Sequence, residues 1–554
     1  LAQAQAAAIE GSTIYVFHGN GSTTGYDAGI VLRDDQVLVG EASPLALGGT
    51  TLAEGDLARR PMLTSTSGDV VALASRNTVT GVGLAPQGAS SGIAGGAGDT
   101  GGTLTDVVVA DTGVVATEPA IELVGTSGQF VVQDLTVVTP AVGIRLASNT
   151  GRVVLDPTGT ISVSSTGATA VSVVSTDLGT STFDVVQASG SSTGGITLTN
   201  TSGQVTFAAV SLATSGVTPA LGLTNAGDVT VSSGTITAWG GPALSLGSTP
   251  NAAVHLDAAS SASSSGGGIR VANGGTVSVV AGTVSGHLSP AVDVTGGAGD
   301  VTFGGTIGDG PGQSLSVTSR TGGTVTVGAV SDGPDADGRI SLDGNSGGAT
   351  VVGGPVVLAT GASPAVSMTS SPGHRLELRG GGLGVTTTTG NGIQAHGGGT
   401  ITVTGTGNRV TTTGGRAVSV VGTTIGDAGL TLESVHADGG TNGIVLDGTG
   451  DLGSLKVTGS GGTCADASTA GCTGGEIRST TGHDDSSAVP VGTGVVLRNT
   501  RAPDLQRLWI HDHANYAIRG SGVRGLTLAN SVINGTNGTN DASPYRDGAV
   551  VLEN

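Results

Sequence analysis

A short pattern, one small residue followed by an apolar, a free and a second apolar residue, returns along almost the whole chain and limits what it can fold into. It reads "AIEL" from Ala120, "GIRL" from Gly143, "AVSV" from Ala170, "GITL" from Gly195, "ALGL" from Ala220 and "ALSL" from Ala243, and runs on through "GIRV" at Gly268 and "GIVL" at Gly443 to "AVVL" at Ala549. Most steps are 23 to 27 residues, but the step from Ile444 to Val495 is 51 and that from Ile518 to Val550 is 32. Nine to eleven residues after each comes a second alternating segment, such as "VTF" at Val205, "VTV" at Val229 or "ITV" at Ile401, and a weaker third follows, as in "TITA" at Thr235. Alternation places the two apolar side chains of each segment on one face of a short strand. A self-similar period of this length means a stacked repeat.

A propeller blade needs four strands and about 40 residues or more, so a period near 25 with three strands does not suit it. The spacing predicts an all-β right-handed single-stranded parallel β-helix of about 20 coils, each of 23–27 residues with three short strands. One coil alone leaves its Val, Ile and Leu side chains open, and each side chain covered by the next coil contributes roughly 1.5–3 kcal/mol. At ~4.8 Å per coil, the expected rod is on the order of 100 Å long. Asn recurs after an alternating segment, at Asn200, Asn225, Asn273, Asn499, Asn530 and Asn554, and Pro precedes one at Pro119, Pro140, Pro219, Pro242, Pro290 and Pro364. Asn tolerates the left-handed backbone of a tight corner and can bond a stacked neighbour, so these positions read as coil corners with an Asn ladder.

The pattern divides the chain into a capping helix over 1–11, irregular first coils over 12–118, regular repeats over 119–446, a coil with an insertion over 447–493, and last coils over 494–554. The opening "LAQAQAAAIEG" has neither an initiator Met nor a charged leader, and the chain stops abruptly at "DGAVVLEN", so it reads as a segment of something longer.

Composition supports order without a conventional core. Gly 102 and Pro 18 of 554 residues approach disordered chains, yet 37% of residues are hydrophobic, which is too many for disorder. The 41 acidic residues outnumber 21 basic ones, and Lys456 is the single lysine. A charge of −20 repels phosphate backbones and anionic lipid, which argues against a nucleic-acid partner. No apolar run is long enough to insert directly in a membrane. The two cysteines, Cys464 and Cys472, lie in "GGTCADASTAGCTGG". Such a loop predicts a closing disulfide and an oxidising, extracytoplasmic location, and no metal-ligand spacing accompanies it.

The segments "GSTIYVFHGNGSTTGYDAGIVLRDDQVLVGEA" at 11–42 and "GDVVALASRNTVTGVGL" at 68–84 resemble the opening coils of large bacterial secreted or surface right-handed parallel β-helix proteins, broadly the pectin-lyase-like fold. Later coils resemble the passenger shafts of autotransporter and haemagglutinin-like adhesins. The resemblance implies a secreted or cell-surface location. It says little about function, because the same scaffold carries lyases, epimerases, tailspikes and inert shafts.

Gly- and Ser-rich motifs carry little weight at this composition. "GSSTG" at 190–194 matches a nucleophile elbow by chance, and "GGAGD" at Gly95 and Gly296 is a fragment of the calcium-binding nonapeptide roll that never runs in tandem. Calcium is therefore a weak expectation and no other cofactor is expected.

The stretch "RLWIHDHANYAIRG" at 507–520 is the densest chemistry in the chain. Leu508 and Ile510 take the inward phase, aligned with Leu526 and Leu528 after them and Leu455 and Val457 before. Alternation then sends Arg507, Trp509 and His511 outward. An aromatic can stack on a sugar, Arg can pair a uronate carboxylate, and His or Asp can act as a base. Catalytic candidates are His511, Asp512 and His513, and carbohydrate-binding candidates are Trp509, Arg507, Arg498 and Tyr516. The outward neighbours taken from the pattern, Thr527, Ala529, Val496 and Arg498, add one arginine only. The stretch is therefore read as a structural turn, with glycan contact as its alternative.

The sequence thus leads to a structural or adhesive rod of a secreted or surface bacterial protein, without catalysis, whose partners are host or environmental glycans or other surface proteins. The alternative is a polysaccharide-active lyase, epimerase or tailspike-like enzyme, or a glycan-binding module, with its site on the outer face near 498–519.

Overall fold

The repeated inward pairs of Val, Ile and Leu can be buried only against their own copies, and the backbone follows. A computed structural model of the chain describes residues 1–110, 116–156, 158–335, 337–483, 489–538 and 547–553. It is a nearly all-β parallel solenoid of about 20 turns. The coils group into two compact units, Leu1–Ser261 with Asn273–Val279, and Ala262–Ala272 with Val280–Asn554.

In the first unit each regular coil gives one strand to one sheet and two strands to another. The one-strand sheet stacks Ile121 on Ile144, Val171, Ile196, Leu221 and Leu244 in strict parallel register. The two-strand sheet pairs Val205 with Val229, and Leu212 with Ile236. In some coils its two strands run together, as in Asp177–Ser191 and Ser202–Thr214. Phe183 and Phe207 stack inside these, ring centroids 4.8 Å apart.

The second unit repeats the scheme. Its one-strand sheet carries Ile269, Val292, Leu315, Ile340, Val366, Ile393, Val418, Ile444, Val495, Ile518 and Val550 in register. The two long steps of the pattern are therefore insertions between strands that still pair.

Corner residues explain the sharp turns. After the one-strand segment, Asn200 (φ 52), Asn225 (φ 46), Asn273 (φ 49) and Asn499 (φ 43) are all left-handed, the conformation Asn was expected to supply. Asn225 donates from Nδ2 to Asn200 Oδ1 at 2.9 Å, one rung of an Asn ladder. Elsewhere Ser fills the same corner, at Ser148, Ser175, Ser248, Ser319 and Ser370 with φ of 47 to 55. Asn530 is also left-handed but follows Thr527–Ala529, a strand of the two-strand sheet, so it marks a different corner. Asn554 lies outside the described residues. One residue further in, buried Asn149 donates to Leu123 O (3.0 Å) and accepts from the Thr126 backbone (2.9 Å), and Asn345 makes the matching pair with Val317 O and the Arg320 backbone. Arg320 itself is buried, with its guanidinium on the carbonyls of Gly296 and Gly299. Burial pulls it below the usual arginine value.

Near the N-terminus a helix and a hairpin depart from the coil. A helix occupies Ala2–Ala7 and buries none of its residues, while Gln5 Oε1 accepts the Val31 N–H at 3.1 Å. Leu45–Leu47 and Thr50–Ala53 form an antiparallel hairpin whose turn glycines, Gly48 and Gly49, have φ of 57 and 80. Positive φ at both turn positions suits a two-residue hairpin.

Candidate functional site

The strand Leu508–His513 belongs to the two-strand sheet of the second unit, and Leu508 and Ile510 are fully buried rungs. Their ladder partners differ from those read in the sequence. Leu508 pairs with Gly475, and Ile510 with Ile477 before it and Ile533 after it. Val457 aligns instead with Leu505 and Leu528, in the other strand set. Each coil places two strands on this sheet, and here the short strand Asp504–Gln506, not Leu508–His513, stacks between Val457 and Leu528. The ladder neighbours of Trp509 and His511 are therefore Glu476 and Arg478 before them and Val532 and Asn534 after them, not Thr527, Ala529, Val496 and Arg498.

His511 does not stand open to solvent. It is 6% exposed, because the Trp509 indole lies over it with ring centroids 3.9 Å apart and planes at 20°. Its Nδ1 is 2.6 Å from Asp512 Oδ2 and its Nε2 is 3.0 Å from Glu476 Oε1 of the preceding coil. This hydrogen bond to the imidazole, with one from the Thr536 backbone, lowers the Asp512 carboxyl below its usual value. Asp512 has φ 58 and breaks the strand alternation, so His513 turns inward instead of following Trp509 and His511. His513 is 2% exposed, with Nδ1 2.8 Å from Thr480 Oγ1, and burial pushes it down to about 4. Beside His511, Arg478 pairs with Asp438 at 2.8 Å, and this hydrogen bond lowers the Asp438 carboxyl.

The carbohydrate-binding candidates do not converge. Arg507 is a left-handed corner residue whose guanidinium donates to Thr458 O (2.9 Å) and Gly462 O (3.2 Å), so it braces the loop closed by the Cys464–Cys472 disulfide. Trp509 Nε1 donates to Asn534 Oδ1 at 2.8 Å, and Asn534 reaches Asp466 of the same loop at 2.6 Å. Arg498 and Tyr516 lie on the one-strand sheet. There Arg498 pairs with Asp447 at 3.0 Å, and Tyr516 is buried with the Arg519 guanidinium 5.4 Å from its ring centroid.

An elongated groove in the same unit was not legible in the sequence. It consists of two adjoining hollows of about 450 and 380 Å³ that share Asp427 and Leu452, on the outer side of the other strand set of the two-strand sheet. Arg375 and Arg379 flank Glu377 at one end, and Lys456 and Arg501 line the other. The arginines are exposed (side chains 63% and 60%), whereas Glu377 lies beneath them at 12%. Glu377 and Thr402 are in register, and the pairing then shifts between Ile401 and Val403, where Gly426–Gly429 bulges outward and lifts Asp427. A step of 25 links Glu377, Thr402 and Asp427 in the sequence, and it is the only trace of the groove there.

Among the described residues no group of three or more His, Cys, Asp or Glu side chains is placed to hold a metal ion. In the two "GGAGD" segments the carboxylates are engaged by backbone, Asp99 with the Gly96 N–H (2.6 Å) and Asp300 with the Thr324 N–H (2.7 Å).

Comparison with protein-family models, with curated proteins and with solved structures finds no match to this chain.

Proposed function

We propose that this chain is a non-catalytic, adhesive β-solenoid of a secreted or cell-surface bacterial protein, in the manner of the pectin-lyase-like and autotransporter shafts its coils resemble. It holds glycan on its outer faces without cleaving it. The reading rests on the state of His511. A general base must come within about 3 Å of the proton it takes. Here both ring nitrogens face carboxylates of the protein and the ring face is closed by Trp509. Arg507, the residue suited to pair a uronate, is turned to backbone carbonyls. Exposed cations, Arg375, Arg379 and Lys456 among them, line the groove instead.

The test is incubation with a panel of neutral and acidic polysaccharides, following both retention on immobilised protein and release of new chain ends. Retention without release is expected. Release that disappears in His511→Ala would overturn the reading in favour of an enzyme.

A further inference from the structure

We infer that the groove running from Arg375 to Arg501 takes a linear glycan in which anionic groups are sparse, separated by two or three neutral sugars. The inference rests on the adhesive reading above and names its ligand. Three features of the groove lead to it.

The first is direction and length. The residues that line it come from successive coils, Glu377, Thr402, Asp427, Lys456 and Asp504, so the groove follows the stacking direction. Coils repeat at ~4.8 Å, close to the ~5 Å rise of an extended sugar chain, so the Arg375–Arg379 strand and the Lys456 strand, three coils apart, are about 14 Å from one another. An extended polymer can therefore meet equivalent positions coil after coil.

The second is the placing of charge. On a chain of net charge −20, each end of this groove carries two cations against one carboxylate: Arg375 and Arg379 share Glu377, which lies beneath them, and Lys456 and Arg501 stand with Asp504, the in-register neighbour of Lys456. An anionic group at each end is then favoured by charge and by hydrogen bonds to the guanidinium groups.

The third is the middle. Asp427 stands exposed on its bulge between the cationic ends, with Thr402 and Thr404 beside it. A carboxylate accepts hydrogen bonds from sugar hydroxyls and repels an anion. A polymer charged at every residue would set a carboxylate against Asp427, whereas one with neutral sugars there would set hydroxyls against it. Leu452, 63% exposed where the two hollows meet, offers the apolar contact that a neutral sugar face needs and a charged one does not.

Affinity is measured by calorimetry on the whole chain with three probes: deacylated gellan, linear with one carboxylate in each four-sugar repeat; polygalacturonate, charged at every residue; and an uncharged β-glucan. Gellan is expected to bind best, and Lys456→Gln and Arg379→Gln each to weaken it about fivefold to tenfold. Asp427→Asn is expected to strengthen polygalacturonate while leaving gellan within about twofold. Polygalacturonate binding more tightly than gellan to the unaltered protein, or gellan binding unchanged in both cation variants, would overturn the inference. In either case glycan retention elsewhere on the protein would leave the adhesive reading standing. Cleavage of any probe would instead remove that reading.

Discussion

Trp509 lies flat on His511, the ring centroids 3.9 Å apart, and thereby turns what reads as an exposed histidine into a covered one. The indole also anchors the disulfide loop through Asn534 and Asp466. Trp509→Ala should therefore cost about 2–3 kcal/mol, less than a fully buried Trp because one face is open. Trp509→Phe, which keeps an aromatic ring over His511 but loses the N–H donor and part of the indole's area, should cost about 1–1.5 kcal/mol. Urea unfolding of the two variants checks this, and equal costs would show that the stack contributes nothing.

His511 bridges two coils, since Glu476 belongs to the strand before its own. A double-mutant cycle of His511→Ala and Glu476→Ala should give a coupling of about 0.5–1.5 kcal/mol, because the pair is half-buried and Glu476 keeps its contact with Arg478 while His511 keeps Asp512. Simple addition of the two costs would mean that the 3.0 Å contact is not a working hydrogen bond.

The inward rungs were legible because Val, Ile and Leu recur where each strand must meet its copy, and the register of Ile444 on Val495 survives a 51-residue step. The chemistry of the outer faces was not legible, for three local reasons. The sheet takes two strands per coil, so a slip between Asp504–Gln506 and Leu508–His513 exchanged one set of neighbours for another. A left-handed Asp512 reversed the facing of His513, and alternation cannot foresee a non-Gly residue with positive φ. The groove gathers residues from coils about 25 positions apart, where no local motif forms. The expected corner was found at Asn200, Asn225, Asn273 and Asn499 but not at Asn530, which closes a strand of the other sheet; Ser does the same work as often, and nothing in Ser alone marks it as left-handed.

Those Ser corners are a reserve of stability. Ser248 is exposed, with φ 53, where an L side chain other than Asn is strained. Ser248→Asn or Ser248→Gly should raise stability by about 0.5–1 kcal/mol. The converse change, Asn225→Ala, should cost about 1 kcal/mol, since it loses both the conformational tolerance and the 2.9 Å bond to Asn200. Thermal unfolding resolves both, and opposite signs from those given would show that the corner is set by stacking alone.

The Cys464–Cys472 bond closes a short loop, which limits its effect on the unfolded chain to about 2–3 kcal/mol. Its local effect should be larger, because Arg507 and Asn534 both attach to that loop. In Cys464→Ser/Cys472→Ser, amide exchange should quicken in Thr458–Thr473 and in Leu508–His513, while strands such as Ile393–His396 keep their protection. Uniform loss of protection along the whole unit would instead mean that the loop governs the stacking of all its coils.

His513 gives the stability of the second unit a defined pH dependence. Burial holds its imidazole neutral, with the folded value lowered from 6.5 to about 4. Between those two values the unfolded chain binds a proton that the folded chain refuses, so stability rises with pH across the window. The contribution is fully present above about pH 6.5 and is lost as pH falls to about 4, a change of up to about 3 kcal/mol at 1.36 kcal/mol per unit. His374 and His396, also lowered chiefly by burial, act in the same direction. The lowered carboxyls of Asp438 and Asp512 act below the usual value of 3.8, outside this window. His513→Gln, which can still bond Thr480, should therefore show a smaller fall in urea midpoint between pH 6.5 and pH 4 than the unaltered protein. Parallel curves for the two proteins would mean that His513 is protonated within the fold and that its burial does not control the acid response.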